Sequence, residues 1–200
     1  VTIDAEILPS IVCSKTISYF ARGMKKMDFD VDVEGEYHGF VSDFRLDGMS
    51  FRNRNDDLHG VVTGRLSGLP NMQDIRVDAD ITDLNFNLEE LTGLIKGIVP
   101  GLGADLGRFA KGQRFDFVGK VKGSLNKLAV QGRGSSAIGD FRTELDLLNA
   151  IDRHRPMQIS GNLNTSSLDV GKITGSGKIG PLTMFTRVGA TLAIGGPQVV

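Results

Sequence analysis

Apolar residues and glycines alternate with polar residues at a period of two through much of this chain, and the alternation recurs in blocks. GEYHGFVSDFRL, Gly35 to Leu46, and GKVKGSLNKLAV, Gly119 to Val130, share Gly-x-Φ-x-Gly-x-Φ-x-x-Φ-x-Φ position for position, where Φ is apolar. A third block, GRLSGLPNMQDIRV from Gly64 to Val77, keeps the paired glycines and the closing Φ-x-Φ but carries two extra residues around Pro70. A helix buries a stripe at spacings of three and four, whereas a period of two places every second side chain on one face of a strand. Upstream of each first glycine the same face continues through Val31 and Val33, Gly60 and Val62, and Phe115 and Phe117. The opposite face carries Asp32, Glu34 and Glu36 in one block and Asp116, Lys120 and Lys122 in another.

These are half-buried antiparallel strands with one dry face and one wet face. Each block predicts a hairpin, with turn chemistry at Ser42-Asp43, Asn71 to Asp74 and Asn126-Lys127. Further strands are predicted over Ile75 to Ile81, Phe141 to Leu147, Met157 to Leu163, Leu168 to Gly175, Lys178 to Met184 and Arg187 to Ile194. The fold class is therefore mainly β, an extended and curved antiparallel sheet of repeated hairpins, read as a single segment over residues 1–200. Two stretches break the pattern. Ser14 to Met27 spaces Ile17, Phe20, Met24 and Met27 by three and four, and Leu88 to Ile98 carries a helical stripe that Pro100-Gly101 ends. Both predict short helices that cover part of the apolar face or gate it, and a further turn is expected over Ala104 to Ala110.

The chemistry-bearing residues do not assemble into a recognisable active site. His38, His59 and His154 are scattered and form neither a metal motif nor a nucleophilic triad. Gly175-Ser176-Gly177-Lys178 lacks the full spacing of a phosphate loop. Asp140, Glu144 and Asp146 alternate with Phe141, Leu145 and Leu147, as on the solvated side of a strand. Cys13 is the only cysteine, so it has no internal disulfide partner and reads as an inert, partly buried thiol. No enzyme activity, cofactor or metal is expected. Lys plus Arg number 23 against 24 Asp plus Glu, a balance that offers no basic footprint for nucleic acid. Leu91 to Leu106 is interrupted by Lys96, Pro100 and several glycines, short of the ~20 apolar residues a spanning helix needs. Val1 opens the sequence without an initiator Met or a charged leader, so the chain reads as an internal piece of a longer protein.

Glycine weakens a strand and leaves nothing to pack, so 26 glycines, many on the apolar face, need a reason. They create room above the sheet, let it bend, or mark twist and bulges.

SYFARGMKKMDFDVDVEGEYHG, GRLSGLPNMQDIRVDADI, FDFVGKVKGSLNKLAVQGRGSSAIGDFRTELDL and MQISGNLNTSSLDVGKITGSGKIGPLTM together resemble the TamB branch of the AsmA-like envelope proteins of Gram-negative bacteria. Gly119, Gly123, Gly134, Gly139, Gly161, Leu168, Gly171 and Gly180 sit where such sequences usually have them. The resemblance covers nearly the whole chain. It implies a periplasmic protein, anchored in the inner membrane by a segment this chain lacks, whose sheet curls into a trough with an apolar inside. It also implies phospholipid movement between the inner and outer membranes, and outer-membrane protein assembly or secretion with a barrel partner that contacts other parts of the parent protein. On that basis Val33, Tyr37, Val41, Val62, Leu66, Phe117, Val121, Ile159 and Leu163 are expected to line a lipid groove. A 16-carbon tail represents on the order of 12 kcal/mol of hydrophobic free energy to be matched outside a bilayer, which only a continuous apolar surface supplies. The alternative is a structural or adhesive β-solenoid or sandwich with a closed core and no ligand. A transmembrane barrel ranks last, because no Trp and only two Tyr leave no aromatic girdle. Exposed strand edges would favour edge-to-edge self-association.

Overall fold

A computed structural model describes residues 2–16, 30–91, 112–152, 154–169, 171–172 and 180–192. Ten strands follow one another in the chain: β1 (Ile3–Cys13), β2 (Asp30–Phe40), β3 (Asp43–Asn53), β4 (Leu58–Ser67), β5 (Arg76–Asn87), β6 (Arg114–Ser124), β7 (Lys127–Ser136), β8 (Gly139–Leu148), β9 (Met157–Asp169) and β10 (Pro181–Leu192). They form one antiparallel sheet in sequence order, curved and not closed on itself. Each strand pairs with the one before it, as repeated hairpins demand, and β1 and β10 are the two edges.

The repeated block folds the same way twice. Gly39 has φ 127° and Gly123 φ 128°, and each is followed by a two-residue turn, 41–42 or 125–126, with Phe40 opposite Asp43 and Ser124 opposite Lys127. A Cβ on Gly39 would press on the carbonyl oxygen of Asp43, and one on Gly123 on that of Lys127, four residues ahead in both cases. In the third block the matching glycine is Gly68, φ 97°, and its Cβ would meet the carbonyl oxygen of Asp74, six residues ahead. The two inserted residues lengthen the turn and leave the strands intact. The second glycine of each pair thus marks where the strand crosses tightly into its return, at a backbone angle that other residues rarely adopt.

Several sequence expectations are corrected. The turns begin one residue earlier than the positions read as Ser42-Asp43 and Asn126-Lys127. Lys178 to Met184 and Arg187 to Ile194 are not separate strands, since their described residues belong to one unbroken strand, β10, from Pro181 to Leu192. Leu168 to Gly175 is not a strand of its own: Leu168 and Asp169 end β9, and residues 171–172 turn helically, with Asp169 Oδ1 accepting the Lys172 N–H at 3.0 Å. β1 escaped the alternation because a bulge between Ile7 and Ser10, containing Pro9, shifts its phase. An edge strand tolerates a proline that an inner strand would not.

Residues 14–16 and 88–91 are helical, and the rest of the segments read as helices over 14–27 and 88–98 lies outside the described residues, as do Ala104 to Ala110. Asn87 caps the second, its Oδ1 accepting the Glu90 N–H at 2.9 Å. Leu88 and Leu91 then pack against a cluster of Leu58, Phe86 and Phe117 on the central strands β4, β5 and β6. Cys13 ends β1 half-buried, and its thiol pKa is raised by a hydrogen bond with Asp30 and then by burial.

Candidate functional site: the apolar sheet face

Register carries the apolar set across the sheet in four parallel rows. The first passes from Val33 through Phe51, Gly60, Leu84 and Phe117 to Gly134 and on to Phe141. The second passes from Met49 through Val62 and Ile81 to Gly119, Gly132, Thr143 and Leu163. Tyr37 and Val121 share the third, whose members include Leu46, Ala79, Val130 and Leu145. Leu66 and Ile159 share the fourth, with Val77, Leu128 and Leu147 between them. Bulges in β3 and β5, between Leu46 and Met49 and at Thr82-Asp83, keep the two ends of those strands in phase. Without each extra residue, one half of the strand would present its polar side chains to this face.

Eight of the nine residues expected to line a groove therefore lie on one face: Val33, Tyr37, Val62, Leu66, Phe117, Val121, Ile159 and Leu163. Phe117 is buried and the other seven are half-buried. Val41 falls outside the rows. It sits in the β2–β3 turn and is exposed, because the chain reverses before the alternation reaches it. Phe51, Leu84, Phe141 and Leu145 belong to the same face and were not singled out from sequence, although the same period of two contains them.

The recurrent glycines do not leave open space along the first two rows. The Phe117 ring lies over both Gly119 and Gly132, the Phe141 ring over Gly134, and the Phe51 ring beside Gly60, so that a Cβ at any of these would meet an aromatic atom. Phe117 and Phe141 stack with ring centroids 6.4 Å apart, and Phe86 stacks on Phe115 at 5.7 Å. Aromatic rings laid over strand glycines recover the apolar contact that glycine itself cannot make. A different pair of glycines has an unusual backbone: Gly35 at φ 150° and Gly161 at φ 142° sit inside strands in a conformation that L side chains resist.

Polar groups on this face are few. The Tyr37 hydroxyl donates to the Phe40 carbonyl oxygen at 3.0 Å, its ring stacks on Phe44 at 4.9 Å, and burial raises its pKa. Thr143 is buried, and its Oγ1 finds no hydrogen-bond partner among the described residues. Valine has nearly the same shape without the stranded hydroxyl. Thr143→Val is expected to raise stability by about 1 kcal/mol, measured by urea unfolding, and a loss of that size would mean that the hydroxyl is hydrogen-bonded in solution.

The opposite face is ionic. Lys120 pairs with Asp80 and Lys122 with Asp78, each at 2.7 Å, and Arg65 grips Asp43 through two nitrogens, holding that carboxyl below its usual range. Asp140, Glu144 and Asp146 are all exposed there. A cavity of about 570 Å³ is lined by Asp116, Val118, Arg133, Arg142, Asn164 and Phe185 together with Phe117, Gly134 and Phe141 of the first apolar row. The Gly175 to Lys178 stretch lies outside the described residues.

Comparison with protein-family models, curated proteins and solved structures returned no match. What this face does must therefore be argued from its own residues. Among the described residues, no helix is long and apolar enough to cross a membrane.

Proposed function

We propose that this chain is a segment of a lipid conduit, whose apolar sheet face shields phospholipid acyl chains between two membranes of a Gram-negative envelope. The supporting observation is the continuity of that face: four register-aligned apolar rows together run from β2 to β9 in a sheet that does not close. Seven intervals at ~4.8 Å extend it roughly 34 Å, comparable with the ~30 Å hydrocarbon core of a bilayer. Acyl chains need area and dryness rather than a particular polar group, so a site without catalytic chemistry suits them. The family resemblance supports a parent protein of the periplasm, anchored in the inner membrane and aiding outer-membrane protein assembly or secretion with a barrel partner. Exposed Ile3, Leu8 and Ile11 on β1, and Leu182, Met184 and Phe185 on β10, make the two edge strands the places where the sheet would continue into, or associate with, a neighbour.

A second reading, a scaffold with a closed core and no ligand, is favoured by one observation: Phe rings fill the space over Gly119, Gly132 and Gly134. Native mass spectrometry of the chain purified from a bacterial envelope, with lipid extraction, separates the two. The conduit reading expects near-stoichiometric phospholipid, falling at least tenfold in Val62→Asp/Val121→Asp. Circular dichroism checks that the sheet survives, and Val62→Ser/Val121→Ser serves if the charged pair does not fold. A folded wild-type chain free of lipid would favour the scaffold instead, and lipid retained by folded variants would mean that this face does not hold it.

A further inference from the structure

Among the described residues, two rungs of the sheet set arginine directly opposite arginine: Arg45 with Arg65, and Arg133 with Arg142. Like charges facing each other destabilise paired strands, and the first rung relieves that repulsion from within. Arg45 holds Asp47 at 2.8 Å and Arg65 holds Asp43 at 2.5 Å. The second rung is not relieved. Asp140 and Glu144 stand two residues from Arg142 on its own strand, the spacing at which Arg45 takes Asp47. Neither Arg133 nor Arg142 nevertheless has an ion pair or a side-chain hydrogen bond among the described residues.

This rung forms part of the wall of the 570 Å³ cavity. Register carries it over five strands, from Val118 through Arg133, Arg142 and Asn164 to Phe185. Val118 and Phe185 are apolar side chains on the polar face, 41% and 85% exposed. The next rung lies ~6.6 Å along the strands, two residues at ~3.3 Å each. It runs from Asp116 through Ser135 and Asp140 to Ser166 and lines the same cavity. Asp116 already accepts from the Asn85 amide at 2.7 Å, whereas Asp140 has no side-chain partner among the described residues.

These groups select a ligand by charge and shape. One guanidinium fork satisfies the two oxygens of a carboxylate, so two forks side by side match a phosphate, which offers three acceptor oxygens and up to two negative charges. Asp116 and Asp140 in the same wall repel a ligand that is anionic throughout and favour one that carries a cation next to its anion. The exposed face of the Phe185 ring suits an organic ammonium group, which aromatic quadrupoles attract. A cavity of this volume lies within the ~300 to 1,000 Å³ range of small-molecule sites.

We propose that this cavity binds a zwitterionic phosphate ester, with its phosphate on Arg133 and Arg142 and its alkylammonium group toward Asp140 and the Phe185 ring. The site uses the side chains opposite the acyl rows, so it stands or falls independently of the conduit reading. Sequence alone does not bring its parts together, because Phe185 lies two strands from Arg142 and reaches the same rung only through the register of β9.

The test is calorimetric titration of the full chain with phosphocholine, with inorganic phosphate and with choline, at constant ionic strength. One phosphocholine per chain is expected, bound at least about tenfold tighter than phosphate or choline alone. Arg133→Gln and Arg142→Gln should each weaken it by about tenfold or more, the loss expected for a charge-assisted hydrogen bond. Their urea midpoints should stay level or rise, because the like-charge rung is relieved. Asp140→Asn and Phe185→Ala should abolish the preference for phosphocholine over phosphate. Arg76→Gln, exposed and outside the cavity, should change nothing. Dihexanoylphosphatidylcholine below its micelle concentration separates the sources: tighter binding than phosphocholine marks a lipid head group, weaker binding a soluble ester, and both support the site. No saturable phosphocholine binding below about 10 mM, phosphate bound as tightly as phosphocholine, or equal affinity in a folded Arg133→Gln/Arg142→Gln chain would overturn the proposal.

Discussion

Phe117→Ala is expected to destabilise the chain by roughly 3 to 5 kcal/mol in equilibrium urea unfolding, a large part of the total stability of an ordinary domain. Phe117 is 8% exposed and belongs to the cluster with Leu58 and Phe86. Its ring also covers the backbone at Gly119 and Gly132. Truncation removes the ring's own burial, opens a cavity that two glycines cannot fill, and strips Phe141 of a stacking partner. Phe185→Ala is the contrast. That ring is 85% exposed, and its loss should change stability by no more than about 0.5 kcal/mol. Gly132→Ala should couple to Phe117→Ala: the new methyl collides with both the ring and the Val118 carbonyl oxygen in the wild type, and losing the ring removes the first of these obstacles and leaves the second, 2.6 Å away. The double variant should therefore cost less than the sum of the two single changes. If Phe117→Ala costs under about 1 kcal/mol, the aromatic cover over the glycines is not what holds this part of the sheet.

Gly161→Ala is expected to cost at least about 2 kcal/mol for a different reason, backbone strain rather than packing. Gly161 has φ 142°, and a Cβ there would overlap the Glu144 carbonyl oxygen and crowd the Leu145 Cα on the paired strand. Both obstacles are main chain and cannot rotate away, so the methyl must separate β8 from β9. Gly189→Ala supplies the comparison within the same sheet, because nothing lies within 4 Å of its Cβ position. There alanine should be neutral or stabilising by up to about 1 kcal/mol, through a less flexible unfolded chain. Urea unfolding of both variants, with amide exchange across β8 and β9, separates strain at one bend from a general intolerance of side chains. Equal, small effects at Gly161 and Gly189 would remove any special role for the kink.

Much of the architecture is legible in the amino-acid sequence. The period of two locates the strands from Asp30 to Leu148, and the repeated block predicts hairpins whose second glycine, Gly39 or Gly123, adopts the same angle in both copies. Eight proposed lining residues share a face because alternation is a local property: once a strand forms, its parity decides which side each residue faces. The misreadings lie where the phase slips. Val41 keeps the right parity but sits beyond the reversal that Gly39 introduces, and the Pro9 bulge conceals β1. The strands expected over Lys178 to Met184 and Arg187 to Ile194 leave a break at Phe185 and Thr186, yet β10 continues through both, paired with Asn164 and Leu163 of β9.

The sequence by itself determined the class of fold, the parity of each strand and the separation of an apolar face from an ionic one, because these follow from backbone geometry and nearest neighbours. Tertiary structure decided what occupies the space above the glycines and which charges meet. Phe117 covers Gly132, fifteen residues away and on the next strand, and His38 meets Asp4 from an edge strand that the alternation did not reveal. Both depend on register between strands, which is set by turns and bulges summed along the chain, and no local pattern carries that sum.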